Sequence, residues 1–277
     1  MWSRQRTGSV VCPSCGNLTG VNDERCFTCG RWNPGLWGYA PLLRRFGADL
    51  GFTAIVVAGC TAIYAAALLA SGRSLTLAAG PMNFLVPSNL AMVLFGASGA
   101  YPVLGLGWWW TLLSAGWLHG SALHILFNMM WIRQLGPVTG ELYGASRVVI
   151  IYTVASALGF LVSTLAGSQL TLGASAGIMG LLGAMVRYGQ RTGSNRLGSQ
   201  AWVWALTLFV FGFFMRGVDN WAHGGGFVGG YLAGLLLDPL QRERPAHMLG
   251  ALACLALTAL SIAASIVSGL RILSQGG

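Results

Sequence analysis

Lysine is missing altogether from this 277-residue chain: all 16 basic residues are arginine. That excludes Schiff-base chemistry and a Ser–Lys dyad, both of which need an amine. Charge of either sign is sparse, at 8% of residues, and between positions 50 and 218 the only acidic residue is Glu141. An aspartyl mechanism needs two facing carboxylates, yet Asp219 and Asp238 stand at opposite ends of one apolar segment. The zinc-hydrolase pattern HExxH is also absent, since neither His119 nor His124 is followed by Glu. What fills the chain is apolar: 55% hydrophobic residues, 41 glycines and a mean hydropathy of +0.64. This is too apolar for a soluble domain of such length, and it points to an all-α polytopic membrane protein.

A polar head, residues 1–48, precedes the apolar region 49–277. Apolar runs follow at about 50–70, 121–138, 147–166, 172–189, 200–215, 221–238 and 247–270, each near the roughly 20 residues needed to cross a bilayer. Seven transmembrane helices are therefore expected. The first run starts too late for a secretory leader and reads as a true span. Small residues at spacings of four, Gly173/Gly177 and Gly226/Gly230/Gly234, predict close helix contact. The uncharged stretch 75–118 holds Pro81, Pro87, Pro102 and the cluster Trp108, Trp109, Trp110, and is expected to be a long loop in or on one leaflet.

Arginine placement supports that count. With the N-terminus inside, the inner segments hold Arg4, Arg6, Arg25, Arg31, Arg44, Arg45, Arg133, Arg147, Arg187, Arg191, Arg196, Arg242 and Arg244, and the outer ones only Arg73, Arg216 and Arg271. The asymmetry follows the positive-inside rule. It accounts for the net charge of +9 without a nucleic-acid partner.

Within the head, CPSCG and CFTCG place Cys12/Cys15 and Cys26/Cys29 at the knuckle spacing that wraps a tetrahedral Zn²⁺ with four thiolates. A segment this short has little core, so a structural metal would supply its folding energy. Two disulfides are the competing account, disfavoured in a reducing cytoplasm. Cys60 and Cys254, inside apolar runs, are expected to be packing residues.

Under the seven-span topology three helices run inward from the same side. HGSALHILFN brings His119, His124 and Asn128, TLGASAG brings Ser175, and WAHGGGFVGG brings His223. Polar residues at membrane depth mark function by default. A serine hydroxyl needs a general base, and a neutral imidazole such as His223 supplies one. His124 and Asn128, one turn apart and so on one face, can donate to a developing oxyanion together with the Ser175 N–H. In serine proteases such a donor is worth about 3–4 kcal/mol. Gly173 and Gly177 clear side chains from a place where a substrate backbone must approach. His119 is left between shaping the loop and touching substrate.

GASAG, HGSALHILFN and AHGGGFVGG resemble the GxS, HxxxN and AHxxGxxxG motifs of the rhomboid intramembrane serine proteases, in order and spacing. The resemblance implies a six-helix bundle plus one C-terminal helix and a Ser175–His223 dyad with no acidic third member. It also implies an oxyanion hole from His124 and Asn128, a water-filled cavity open to the outer face, and lateral substrate entry near the fifth helix and the segment 215–221. No catalytic cofactor is implied, and the substrates would be single-pass or polytopic membrane proteins. Where the family usually has Trp-Arg this chain has Trp110-Thr111, and Ala176 stands where Gly is commoner. The expected setting is a bacterial inner membrane, with the head in the cytoplasm available to a protein partner. A second reading is a non-catalytic rhomboid-like protein that binds membrane helices. A transporter lacks support, because no matched pair of broken helices is present.

Overall fold

The computed structural model describes residues 4–12, 16–45, 47–78, 84–215 and 217–275. In the head, strands β1 (Ser9–Val11) and β2 (Leu18–Gly20) pair antiparallel, and a short helix α1 (Ala40–Arg44) follows. Asp49 then accepts from the Gly51 and Thr53 amides and so caps α2 (Phe52–Ser71).

The stretch expected to be a loop is one, although it is well structured. A hairpin of β3 (Thr76–Ala78) and β4 (Phe84–Val86) leads to two short helices, α3 (Asn89–Leu94) and α4 (Thr111–Ser114). Six longer helices complete the chain: α5 (Ala122–Tyr143), α6 (Ala145–Leu165), α7 (Ser175–Thr192), α8 (Asn195–Phe214), α9 (Asn220–Leu236) and α10 (Pro245–Gln275). Together with α2 they lie on the seven predicted runs. Among the described residues, four of them, α2, α6, α8 and α10, are long and apolar enough to cross a membrane. The other three are shorter or more polar, and they carry the candidate site.

α7 is the axis of the bundle. Residues 176–186 are buried without a break, enclosed by α5, α6, α8 and α9. Its seam with α9 is backbone against backbone: Gly226 abuts the Ala176 carbonyl, and Gly230 abuts Gly180. The spacing-of-four glycines of α9 therefore do what the sequence predicts. α8 lies at the edge, with only 17% of its apolar window buried against 61% for α6.

Arg147 shows how one charge of the arginine count is housed. It opens α6 but is 1% exposed, donating to the carbonyls of Tyr143, Asp238 and Gln241 and to His247 Nδ1. It ties down the connection between α9 and α10, because those carbonyls satisfy the buried guanidinium.

Candidate active site

The local backbone explains why Ser175 stands where it does. Thr171 pairs with Ser98 through reciprocal backbone bonds of 2.8 and 3.0 Å, and the Gly173 amide donates to the Ala115 carbonyl at 2.9 Å. Gly173 then turns the chain at φ 126°, a conformation that disfavours any residue with a side chain. Ser175 follows as the first residue of α7, half-buried, at the positive end of the helix dipole.

Space around Gly173 locates the neighbours. A Cβ built there would lie 2.6 Å from His124 Nε2 and 3.7 Å from Ser175 Oγ. The absent side chain thus leaves one small volume bordered by the serine hydroxyl and the imidazole. His124 Nδ1 accepts from the Gly120 amide at 3.3 Å, which assigns the proton to Nε2, the nitrogen beside Gly173. Ser121 caps α5 by accepting from the His124 amide. One turn on, buried Asn128 donates one of its two amide hydrogens to the His124 carbonyl at 2.8 Å.

His223 enters from α9. Its N-cap Asp219 accepts from the Ala222 amide at 3.0 Å and from the Ser163 hydroxyl. Both carboxylate oxygens are therefore hydrogen-bonded to other groups, and His223 Nδ1 is buried with no hydrogen-bond partner. Gly159 of α6 receives both the Ala222 carbonyl and the Ala176 methyl. Ser175 and His223, the sequence neighbours of those two alanines, consequently sit at one level on adjacent helices. His124 in turn lies within electrostatic range of His223.

One expected residue falls elsewhere, and His119, left open by the sequence, finds its place. The Tyr152 ring fills the space beside Gly177, with ring carbons 2.5–2.9 Å from where a Cβ would be. Gly177 is thus a packing glycine, and the opening at the serine belongs to Gly173 alone. His119, 2% exposed, stacks edge-on against His124 with ring centroids 5.0 Å apart, so it backs the His124 ring from behind. Asp219 and Ser163 were not singled out in the sequence. The signal for Asp219 was present, as an Asp three residues before Ala222 at the start of an apolar run.

In the head, the sulfurs of Cys12, Cys26 and Cys29 all lie within 4.8 Å of one another, and those of Cys12 and Cys29 are 3.7 Å apart. Cys15 falls outside the described residues. Four thiolates about 2.3 Å from a tetrahedral Zn²⁺ stand roughly 3.8 Å from each other, so the spacing fits that ion. Two equivalent turns support it: Gly16 donates to the Cys12 carbonyl and Gly30 to the Cys26 carbonyl, both glycines at positive φ.

Comparison with known proteins agrees with the helical part. Residues 106–239 match the Rhomboid domain. RHOMBOID-like protein 4 of Arabidopsis thaliana is 32% identical over 158 residues, covering 55% of this chain and 40% of that protein. Rhomboid protease GluP of Bacillus subtilis is 32% identical over 152 residues, covering 53% and 29%. RHOMBOID-like protein 5 of Arabidopsis thaliana is 36% identical over 139 residues, covering 46% and 44%. The chain thus spans less than half of each of these relatives. The matches support the rhomboid family and an integral membrane protein, and the family match leaves the head, α2 and α10 outside its bounds.

Proposed function

We propose that this chain is a rhomboid-type intramembrane serine endopeptidase that cleaves membrane proteins within or near their transmembrane helices. The observation that carries the reading is the volume at Gly173, bordered by Ser175 Oγ and His124 Nε2–H. The Ser175 oxygen attacks the scissile carbonyl carbon while its proton passes to the His223 imidazole. The carbonyl π electrons move to oxygen, and the oxyanion accepts from His124 Nε2–H, the second Asn128 amide hydrogen and the Ser175 N–H at the start of α7. Collapse breaks the C–N bond, and His223 returns the proton to the departing amine. A water, deprotonated by the same imidazole, then releases the acyl group and restores the serine.

All seven long helices would span the bilayer. The arginine bias puts the N-terminus in the cytoplasm and the site toward the outer face. Substrates must be locally unwound, since a helix keeps its carbonyls in internal bonds, and the weakly packed α8 offers the side entrance. A structural Zn²⁺ held by Cys12, Cys15, Cys26 and Cys29 would fold the head, and the chemistry uses no cofactor.

The test is cleavage of a model single-pass substrate in liposomes by wild type and variants. Ser175→Ala and His223→Ala should each lower turnover by about 10³-fold or more. His124→Ala should cost about 10²–10³-fold, as for a lost oxyanion donor. Wild type that bound substrates across a panel but cleaved none would replace this reading with the helix-binding one.

A further inference from the structure

α10 lies outside the matched region, yet it grips the loop that leads to the site. The Ser261 hydroxyl donates to the Trp110 carbonyl at 2.5 Å, and Trp110 Nε1 donates to Ser265 Oγ at 3.0 Å. Ser265 also donates to the Ser261 carbonyl at 3.0 Å, so the two serines, one helical turn apart, form a single ladder. Both are buried, at 3% and 0% exposure. One tryptophan is thus held at its backbone and at its side chain by the same helix.

The grip continues inward. Trp110 is the N-cap of α4, which carries fully buried Thr111, bonded to the Trp108 carbonyl at 2.7 Å, and Ser114, bonded to the Gly96 carbonyl at 2.7 Å. Gly96 itself faces Ser265, whose Oγ lies 2.7 Å from where a Cβ would stand. Immediately after α4, the Ala115 carbonyl accepts the Gly173 amide at 2.9 Å, the bond that fixes the turn before Ser175. The links from α10 to the nucleophile are therefore two buried serines, Trp110, one helical turn and one hydrogen bond.

We propose that Ser261 and Ser265 are positioning residues for the Ser175 site: clasping Trp110, they fix α4 and, through Ala115, the Gly173 turn that presents the serine. The proposal rests on the protease reading above. Neither serine touches the reacting atoms, and substrate binding is left to other surfaces, so the clasp acts on turnover and not on affinity.

The test compares the full-length protein with Ser261→Ala/Ser265→Ala and, as control, Ser268→Ala on the same helix. The double variant should lose about ten- to a hundredfold in kcat, as for a small misplacement of a reacting group, with KM within twofold. Labelling of Ser175 by a fluorophosphonate, which needs no peptide substrate, should slow by the same factor. Amide hydrogen exchange at Gly173 should quicken at least tenfold, while the thermal midpoint stays near that of the control. If the double variant misfolds, Trp110→Phe removes the indole bond, and part of the ring stacked on Trp108, while keeping the backbone bond, and should show a smaller loss of the same kind. Unchanged kcat, labelling and Gly173 exchange, in an enzyme that Ser175→Ala inactivates, would overturn the clasp and leave the protease reading intact. Should wild type cleave nothing, the protease reading fails, and the Gly173 exchange decides alone whether the clasp holds the turn.

Discussion

The α7–α9 seam and the N-terminal head are both short of side-chain core, and they are held together by opposite means. At the seam, side chains are removed until backbones touch: Gly226 on the Ala176 carbonyl, Gly230 on Gly180, Gly183 on the Phe227 carbonyl. The gain there is dispersion over a long close contact, which lipid cannot supply between bulkier helices. In the head, the buried apolar set is little more than Val10, Val21 and Ala40 beside Cys12 and Cys26, and Phe27 and Leu18 remain 91% and 72% exposed. Too few atoms are buried for packing to suffice, which is the deficit that the proposed Zn²⁺ would make up. The seam is therefore intolerant of mass, and on the zinc proposal the head is intolerant of losing a ligand.

Adding mass to the seam should have the largest effect. Gly230→Ala puts a methyl onto the Gly180 backbone, which cannot swing aside as a side chain can. Overpacking of that kind costs about 1–3 kcal/mol, occasionally more, and Gly230→Val should prevent folding. Gly224 of the same helix is the contrast, since a Cβ there would meet only Phe209, at an ordinary 3.7 Å. Thermal midpoints in detergent should fall steeply for Gly230→Ala and stay near wild type for Gly224→Ala. Equal midpoints would mean that the seam is looser than the backbone contacts describe.

Removing a ligand from the head should be drastic but local. Cys26→Ser, or a strong chelator, should abolish zinc content and collapse amide protection across residues 9–32. A structural site contributes about 10 kcal/mol or more at neutral pH, far beyond what three small buried residues return. The bundle should keep its thermal midpoint, because the hydrogen bond that reaches from the far end of the bundle to the cysteine cluster, Arg242 to the Cys29 carbonyl at 3.1 Å, is exposed. A bundle that melted together with the head would erase the contrast between the two regions.

The seam and the cysteine spacing could both be read from the sequence, because each repeats a short pattern whose physics is local. So could the placing of His124 near Ser175, which both border the Gly173 turn, once the helices were given a common direction. Gly177 could not, since whether a small residue faces substrate or Tyr152 depends on which residue of α6 stands opposite. The hairpin and short helices of 75–118 are too brief to leave a periodicity. The link from Trp110 to Ser265 joins residues 155 positions apart, and only packing brings them together. The burial of Arg147 is hidden for a similar reason: two of the carbonyls that satisfy it come from a connection about 90 residues later.

At the far end of the seam the two helices are joined by charge, which gives the smallest effect and a different signature. Arg191 of α7 donates to Asp238, just beyond α9, at 3.1 Å, and the Leu240 amide donates to the other carboxylate oxygen at 3.1 Å. The Arg191 hydrogen bond, helped by the Leu240 amide, holds the Asp238 carboxyl below its ordinary value. A carboxyl lowered in the folded state adds stability that is complete above the unfolded value near 4. It is lost as the pH falls through the lower, folded value. Asp238→Asn should therefore lower the thermal midpoint slightly at pH 7, and the difference should shrink as the pH falls below about 4. High salt should shrink the difference at pH 7, since an exposed pair is screened. A difference that persisted unchanged in acid and in salt would mean that the two helices are joined at this end by packing, as they are along the glycines, and not by charge.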